Sequence, residues 1–285
     1  MEKTGIITGA TTHINYKLFG YKAVAHILIN VDSTQADQLI EYLRKMPEVY
    51  AVSSWGAKGN ISVTAILKTL EQLNEVKDSI KRNFSVQEMK SAIWTDVKEM
   101  NENLAITIDN RNKVPTPIKV ASTEKKNTAK NIHIDKIDQK IADMLAQDGR
   151  IPMEALAQEI GISSDETKKR YEKLKNNGVL KVTIQVNPNK IGYFGMCVFL
   201  ATTSDVNPFL IIEKIKNVPD IISIMKTTGD YDLQIWAMVQ DLNHLLSIQE
   251  EVGKITGITK IDVNLIRLGE NWKKWPTPRQ YISTF

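Results

Sequence analysis

The strongest constraint on the fold of this chain is an internal repeat. Sliding the 285-residue sequence along itself places Asn15 on Asn187 and Pro47 on Pro219, a constant offset of 172 residues (187 − 15 and 219 − 47). The match continues without a gap to Trp94. Few residues are identical, but the apolar positions stay in phase throughout, which is typical of one structural unit used twice. The repeat therefore predicts two domains of the same fold with a different segment between them.

The second copy shows six elements in the order strand, helix, strand, strand, helix, strand. The strands are predicted at residues 194–203, 221–227, 232–239 and 258–268. Asn207-Pro208 begins the first helix, because proline is tolerated in a first helical turn, and Asp241 caps the second. The order βαββαβ is that of a ferredoxin-like plait, whose two helices cover one face of the sheet. The other face is apolar, and we expect it to need a partner and to drive dimerisation through the sheet.

A different pattern lies between the two copies, namely three short helices followed by a strand. Pro152 begins the second helix, and Ser163 caps a third helix over residues 164–177. Gly178 is a typical helix stop, and residues 179–186 are β-rich. Three short helices with a glycine-containing turn before the third, and then a strand, predict a winged helix-turn-helix.

At this point the sequence resembles the Lrp/AsnC family of bacterial and archaeal regulators, named after the leucine-responsive regulator and the asparagine-synthase activator. The resemblance covers residues 134–268 and is carried by Ile134-Asp135-Lys136-Ile137-Asp138-Gln139-Lys140-Ile141, Asp148-Gly149-Arg150-Ile151, Leu156-Ala157-Gln158-Glu159-Ile160-Gly161-Ile162-Ser163, Arg170-Tyr171-Glu172-Lys173-Leu174, Gly178-Val179-Leu180, Gly192-Tyr193, Pro219-Asp220 and Gly229-Asp230-Tyr231-Asp232-Leu233. It implies a DNA-binding head joined to an effector-binding plait, the RAM domain, in dimers and higher oligomers. It also implies regulation by small molecules, usually amino acids, bound between sensor domains.

The predicted fold class is α+β, with one winged helix-turn-helix between two ferredoxin-like RAM domains. The predicted segments are a remnant wing and connector at 1–20, a first RAM-like domain at 21–107, a basic flexible linker at 108–133, the winged helix-turn-helix at 134–187, a second RAM-like domain at 188–268 and a tail at 269–285. Against the usual single-unit member of the family, this arrangement has an extra sensor domain. The remnant looks like the wing of an earlier DNA-binding domain without its three helices.

The net charge of +4 is concentrated in the predicted linker. Between Asp109 and His133 there are six basic and two acidic side chains, and six minus two equals the net charge of the whole chain. With Pro115, Pro117 and few large apolar residues, this segment is typical of a flexible tether. It either keeps the chain soluble or lies along nucleic-acid phosphates.

The third helix carries the predicted DNA contacts, because residues near its start lie closest to base edges in this fold. The predicted contacting residues are Ser164, Lys168, Lys169, Arg170 and Lys173. Lys168 and Lys169 would contact phosphate or guanine. Arg170 matches the family's arginine and would clamp either phosphate or a helix carboxylate. A charged outward face is also typical of plain solvated surface, and Asp165 and Glu166 would repel phosphates, so weak or partner-dependent binding is a second possibility.

The turn Gly229-Asp230-Tyr231-Asp232 is the predicted effector site. Its backbone N–H groups and carboxylates would bind the carboxylate and ammonium of an amino acid. Glycine and aspartate are equally typical of a plain turn between strands. The first copy has Ala57-Lys58-Gly59-Asn60 at this place and lacks both carboxylates. Any effector site is therefore predicted in the second copy, with the first copy as a packing partner.

The sequence gives no support for enzyme chemistry or a bound metal. The four histidines His13, His26, His133 and His244 show no ligand spacing, and the single Cys197 reads as a buried small hydrophobe. There is no phosphate-binding glycine loop, nucleophile elbow or pair of catalytic carboxylates. We therefore predict no catalytic residue, no metal and no cofactor other than a small effector such as an amino acid.

The predicted partners are double-stranded DNA, further copies of the chain through the RAM sheets, and relatives in hetero-oligomers. No apolar run is long enough for a membrane and no export signal is visible, so a cytoplasmic, nucleoid-associated protein is predicted. Two alternatives remain. The chain could be an oligomerisation partner that does not bind DNA, or an enzyme like the haem-pathway decarboxylases, which share the fold. The histidine-containing stretch of those enzymes would fall near residues 228–231, where this chain has no histidine.

Overall fold

The structure is a computed structural model, and it describes residues 2–57, 59–100, 132–204 and 207–267. All but the last two residues of the predicted linker lie outside the described residues, as does the predicted tail with Trp272 and Trp275. The chain divides into two units. None of the helices in the described ranges has the length and apolar character needed to cross a bilayer.

Ten strands and seven α-helices are found in the described part of the chain. The strands are β1 (Ile7–Ile14), β2 (Ala23–Val31), β3 (Val49–Ser54), β4 (Asn60–Leu67), β5 (Val86–Met100), β6 (Leu180–Val186), β7 (Gly195–Thr203), β8 (Ile221–Gly229), β9 (Leu233–Val239) and β10 (Ile258–Arg267). The helices are α1 (Ala36–Arg44), α2 (Glu71–Asn83), α3 (Lys136–Gln147), α4 (Met153–Ile160), α5 (Ser164–Asn176), α6 (Pro208–Ile215) and α7 (Leu242–Gly253). This mixture of helices and antiparallel sheet confirms the predicted α+β class.

The smaller unit contains the helix-turn-helix, built from α3, α4 and α5 and followed by β6. Strand β1, which belongs to the predicted remnant, pairs antiparallel with β6 along its whole length, from Ile7 opposite Val186 to Ile14 opposite Leu180. Ile14 is buried in the core that the three helices share. The first segment of the chain is therefore an integral part of this unit, because it completes the wing and fills its core.

The larger unit contains the two copies of the repeat. Elements β2-α1-β3-β4-α2-β5 and β7-α6-β8-β9-α7-β10 follow the same order, strand, helix, strand, strand, helix, strand. In each copy, alternate strand residues pack against the helices and form a separate hydrophobic core. The order predicted for the second copy is thus present in both.

All eight strands of this unit form a single antiparallel sheet, in the order β10-β7-β9-β8-β5-β2-β4-β3. The two copies join edge to edge where β5 pairs with β8, from Ala92 opposite Gly229 to Met100 opposite Ser223. Pairing of the two βαββαβ copies therefore occurs within one chain. An exposed strand edge offers unpaired N–H and C=O groups, and here each copy satisfies the edge of the other.

The sheet face opposite the helices is also buried. On β2, β4, β7 and β9 nearly every residue is buried, so both faces of these strands are covered. The backbone N–H of Gly56, after end strand β3, donates to Leu265 O of the other end strand at 3.3 Å, so the sheet curls until its ends meet. The expectation that this face is exposed in a single chain is therefore wrong, because its residues on these strands are already buried. Assembly with further chains stays a prediction.

Candidate nucleic-acid interface and effector site

Helix α5 is the element predicted to enter the major groove. The Ser163 side chain accepts a hydrogen bond from the backbone N–H of Glu166 at 3.2 Å and so caps the helix, as predicted. Thr167 and Leu174 are fully buried and fix the helix on the rest of the unit. The exposed side of the helix carries Ser164, Lys168 and Lys169. Three of the five predicted contact residues are therefore accessible, and their contact with DNA stays a prediction.

Arg170 lies on the side of α5 that faces α3. Its Nη1 atom donates to Asp135 Oδ2 and to Asp138 Oδ1, both at 2.8 Å, and its Nε atom donates to Glu166 Oε1 at 2.7 Å. The bond to Asp135 contributes most to raising the pKa of Arg170 above its ordinary value. Of the two roles predicted for this arginine, the structure shows the contact with helix carboxylates. The contact with phosphate stays a prediction.

Lys173, predicted to point outward, is instead half-buried and held against α3. Its Nζ atom donates to Asp138 Oδ2 at 3.0 Å and to the carbonyl oxygen of His133 at 2.7 Å. The physical reason is the carboxylate of Asp138, which is fully buried and requires cations beside it. Lys173 therefore belongs at least in part to the interior of the helix-turn-helix, and its contact with DNA stays a prediction.

Asp135 and Asp138 have no role in the sequence-based site, yet they organise it. Asp135 caps α3 by accepting from the N–H groups of Ile137 and Asp138, and Asp138 accepts in return from the N–H of Asp135. The bond from Asp138 N–H, followed by that from Arg170, lowers the pKa of Asp135. An acidic residue just before a helix, with a second one three residues later, is a capping-box signal that was readable in the sequence.

The predicted effector turn is fastened to the first copy through Asp230. The Asp230 backbone N–H donates to Ser91 O at 3.1 Å, and Asp230 Oδ2 accepts from Ser91 N–H at 2.7 Å. Gly229 has a positive φ of 128°, and a Cβ at this position would collide with the carbonyl oxygen of Ser91. Glycine is required here by the close approach of β5. The turn is therefore a structural joint between the copies.

The other polar groups of the turn also have partners. Asp232 Oδ2 accepts from Thr203 N–H at 2.7 Å and from Thr203 Oγ1 at 3.2 Å. The buried Tyr231 donates its hydroxyl to Asp262 Oδ2 at 3.0 Å, and burial raises the pKa of Tyr231 to about 12. An effector that binds these carboxylates would have to displace backbone hydrogen bonds. These contacts are the ones expected of a structural turn between strands that binds no ligand. Effector binding by residues 229–232 stays a prediction.

The corresponding turn of the first copy differs from that of the second. Lys58 lies outside the described residues. Asn60 accepts from the side-chain amide of Asn30, and the backbone of Gly56 bonds to Leu265. This turn also reaches the other copy, but through a main-chain bond and without carboxylates.

His26 and Cys197 both lie in the interior of the larger unit. His26 is buried, its Nε2 atom lies 2.7 Å from Ser62 Oγ, and burial lowers its pKa to about 4. Burial also raises the pKa of Cys197 to about 12, so its thiol stays protonated, as a buried small hydrophobe does. Within the described ranges, no group of three or more His, Cys, Asp or Glu side chains could hold a metal ion. Residues 228–231 contain no histidine.

Several solved structures match this chain over part or nearly all of its length. The siroheme decarboxylase NirDL, in complex with an iron-uroporphyrin III analogue, matches 93% of this chain and 77% of its own, with a TM-score of 0.62 at 12% identity. AsnC of E. coli matches 51% of this chain and 99% of its own, with a TM-score of 0.43 at 22% identity. The first likeness concerns the fold of nearly the whole chain.

Sequence relatives cover the second half of the chain. Residues 134–175 match the AsnC-type helix-turn-helix domain, and residues 199–267 match the Lrp/AsnC ligand-binding domain. The HTH-type transcriptional regulator LrpA of Pyrococcus horikoshii is 32% identical over 132 residues, which are 45% of this chain and 92% of the relative. The regulator FL11 of Pyrococcus furiosus is 29% identical over 126 residues, or 44% of this chain and 83% of that protein. With its helix-turn-helix and sensor domain both matched in order, the chain belongs to the Lrp/AsnC family.

Proposed function

We propose that this protein is a sequence-specific DNA-binding transcription regulator whose activity responds to a small effector. The observation that carries this proposal is the complete helix-turn-helix, in which α5 is capped, anchored by two buried side chains and exposed at Lys168 and Lys169. A family of regulators with this head supports the same conclusion. The lysines would contact phosphates or guanine, because the start of this helix is the part closest to base edges in a winged helix-turn-helix.

The affinity of one helix-turn-helix alone for DNA would be modest. Asp165 is exposed at the start of α5 and would face DNA phosphates, whereas Glu166 is neutralised by Arg170. The described residues hold one helix-turn-helix, so a palindromic operator would engage two chains. We therefore propose that affinity depends on a second chain or on the basic linker in addition to α5.

The test is a gel shift on the DNA upstream of the protein's own gene at low and moderate salt. We expect a specific shift that weakens with salt. The double variant Lys168→Ala/Lys169→Ala should make the negative slope of log affinity against log salt less steep by about 2. The matched control is Lys214→Ala/Lys254→Ala, which removes the same charge from exposed positions in the larger unit.

Equal effects of the two double variants would contradict the proposed role of α5. A folded protein that binds no DNA at low salt would contradict the proposal as a whole. That result would favour an oligomerisation partner without DNA-binding activity, which co-purification of a second family member would support.

A second candidate function is a tetrapyrrole decarboxylase, and the observation in its favour is the whole-chain fold likeness to NirDL. Against it, residues 228–231 contain no histidine and His26 is bound to Ser62 with a pKa of about 4. Titration with iron-uroporphyrin III, followed by its absorption band, distinguishes the two functions. The regulator proposal expects no saturable shift, and a tight one would favour the enzyme.

A further inference from the structure

The exposed face of α5 carries a carboxylate at its centre. Successive residues of a helix are rotated by about 100° about its axis, so Asp165 lies almost opposite the buried Thr167. Lys168 and Lys169 follow Asp165 by three and four positions, and they therefore lie on either side of it, about one turn further along the helix. Asp165 and both lysines are exposed. The face that α5 presents to solvent is thus a carboxylate flanked by two ammonium groups.

The neighbours of Asp165 at the start of α5 have partners within their own unit. The Ser163 side chain accepts from the N–H of Glu166 at 3.2 Å, and the Thr167 hydroxyl donates to the Ser163 carbonyl oxygen at 3.0 Å. The Glu166 carboxylate accepts from Arg170 at 2.7 Å. The Asp165 carboxylate has no hydrogen-bond or ion-pair partner among the described residues. It is therefore available to a donor from outside the chain.

A carboxylate in the major groove of DNA can bind only a few groups. Phosphates repel it at every sequence, and the guanine O6 and N7, the adenine N7 and the thymine O4 are acceptors that repel it as well. The donors in this groove are the N4 amino group of cytosine and the N6 amino group of adenine. The adenine N6 lies beside the acceptor N7, so cytosine is the better partner of an aspartate. Asp165 therefore disfavours most base pairs and favours one.

The two lysines beside Asp165 complement the same base pair. In a C·G pair the donor belongs to cytosine and both acceptors belong to guanine, so a carboxylate and an ammonium group each face their own base. In an A·T pair, adenine carries its donor and its acceptor side by side. When Lys168 or Lys169 donates to the guanine, the other lysine can bind a phosphate, which positions the helix without reading sequence. The arrangement of charges on α5 thus matches a C·G pair.

A purely structural role for Asp165 is the alternative, and the chain offers a matched case of it. A carboxylate in the first turn of a helix interacts favourably with the helix dipole, whatever the helix binds. Asp37 is the second residue of α1, as Asp165 is the second residue of α5, and it is also exposed. A structural role needs no particular base, so removing the charge of Asp165 would then leave the sequence preference unchanged.

We propose that Asp165 is a specificity-determining residue of the helix-turn-helix and that it reads a cytosine. The DNA segment contacted by α5 contains a C·G pair whose cytosine N4 amino group donates to the Asp165 carboxylate. Lys168 or Lys169 donates to the paired guanine. This proposal rests on the proposed regulator function, because it names the base pair that the DNA-binding helix recognises.

The experiment selects binding sites for the full chain from double-stranded oligonucleotides of random sequence and sequences the bound fraction. We expect the wild type to enrich a site that contains a strongly preferred C·G pair. Asp165→Asn keeps the shape of the side chain but carries both a donor and an acceptor. It should lower the preference for cytosine at that position about tenfold and move it towards adenine, the base that asparagine binds. Asp165→Glu retains a carboxylate and should keep the preference for cytosine.

The matched control is Asp37→Asn, which removes the same charge from the same helical position in the larger unit and should leave the enriched site unchanged. Circular dichroism verifies that each variant keeps the helix content of the wild type. A site whose base preferences are all preserved in Asp165→Asn would overturn this proposal, as would equal effects of Asp165→Asn and Asp37→Asn. In both cases the regulator proposal stands. A folded wild-type protein that enriches no site would overturn both proposals together.

Discussion

Asp138 is a single residue that fixes helix α5 on the rest of its unit. Its carboxylate is fully buried, and it is compensated by Arg170 at 2.8 Å and by Lys173 at 3.0 Å. A buried charge that loses its partner is strongly destabilising, whereas a buried pair contributes little beyond an apolar replacement. The effect of changing Arg170 will therefore be a loss of stability before it is a loss of DNA contact.

We predict that Arg170→Ala lowers the free energy of unfolding of the helix-turn-helix by about 3 kcal/mol, because it leaves Asp138 with Lys173 alone. The exposed Lys168→Ala should change it by less than about 0.5 kcal/mol. Urea unfolding followed by circular dichroism measures both. The double variant Arg170→Ala/Asp138→Ala should be more stable than Arg170→Ala. Equal stability of Arg170→Ala and the wild type would refute the role assigned to the cluster.

His26 makes a second prediction at the residue scale, which concerns pH. Burial lowers its folded-state pKa from 6.5 to about 4, so the unfolded state binds more protons between these values. The associated stability is complete above pH 6.5 and is lost as pH falls towards 4, by about 3 kcal/mol in total.

The measurement is the free energy of unfolding across this pH range for the wild type and for His26→Val. Valine is the residue at the equivalent position of the second copy, Val198 (26 + 172). Only the slope of the free energy of unfolding against pH is compared. The absolute free energies differ for a second reason, because the variant also leaves Ser62 without its partner. A slope that is unchanged in His26→Val would show that another group is responsible.

At the scale of elements, the β8–β9 turn and strand β5 form the joint between the two copies. Gly229→Ala should lower the free energy of unfolding by about 3 kcal/mol, because it combines a positive φ with a collision against the Ser91 backbone. The control Gly192→Ala also has a positive φ, of 92°, but meets no atom within 4 Å, and it should cost about 1 kcal/mol.

The rate of hydrogen exchange at the Ser91 amide reports how often the contact between the turn and β5 opens, because this N–H donates to Asp230. We expect faster exchange at Ser91 in Gly229→Ala than in Gly192→Ala. Similar exchange rates in the two variants would mean that the turn does not hold β5 in place.

At the scale of the whole molecule, the eight-stranded sheet joins β5 to β8 and is completed within one chain. Folding of the larger unit should therefore need no second copy. We predict a thermal midpoint that does not change when the protein concentration is raised a hundredfold or so, in contrast to an obligate dimer. Scanning calorimetry over this range is the measurement, and a midpoint that rises with concentration would show that a second chain completes the fold.

Much of the architecture was readable because it depends on local patterns. The helix-turn-helix follows from the cap at Ser163, which was predicted, and from the helical period that buries Thr167 and Leu174 on one side of α5. The second βαββαβ unit follows from strand alternation and from the turn residues between the strands. The exposure of Lys168 and Lys169 follows from helical periodicity around that buried stripe.

The side chains whose surroundings differ from those expected are the ones whose partners lie far away in the chain. Lys173 is drawn inward by Asp138, which lies 35 residues earlier, and Asp230 is bound to Ser91, which lies 139 residues earlier. Helical and strand periodicity contain no information about contacts between residues so far apart in the sequence. The sequence therefore predicted an outward Lys173 and unbound carboxylates in the turn. In the structure Lys173 donates to Asp138, and Asp230 accepts from Ser91.

The sequence by itself determined the family, the order of elements, the duplication and the face of α5 that is exposed, because helical and strand periodicity and capping are local properties. Only the tertiary structure decided that the two copies share one sheet and that β1 completes the wing of the helix-turn-helix. The physical reason is that backbone edges are chemically alike in any sequence. Which edges meet is settled by the packing of the whole chain.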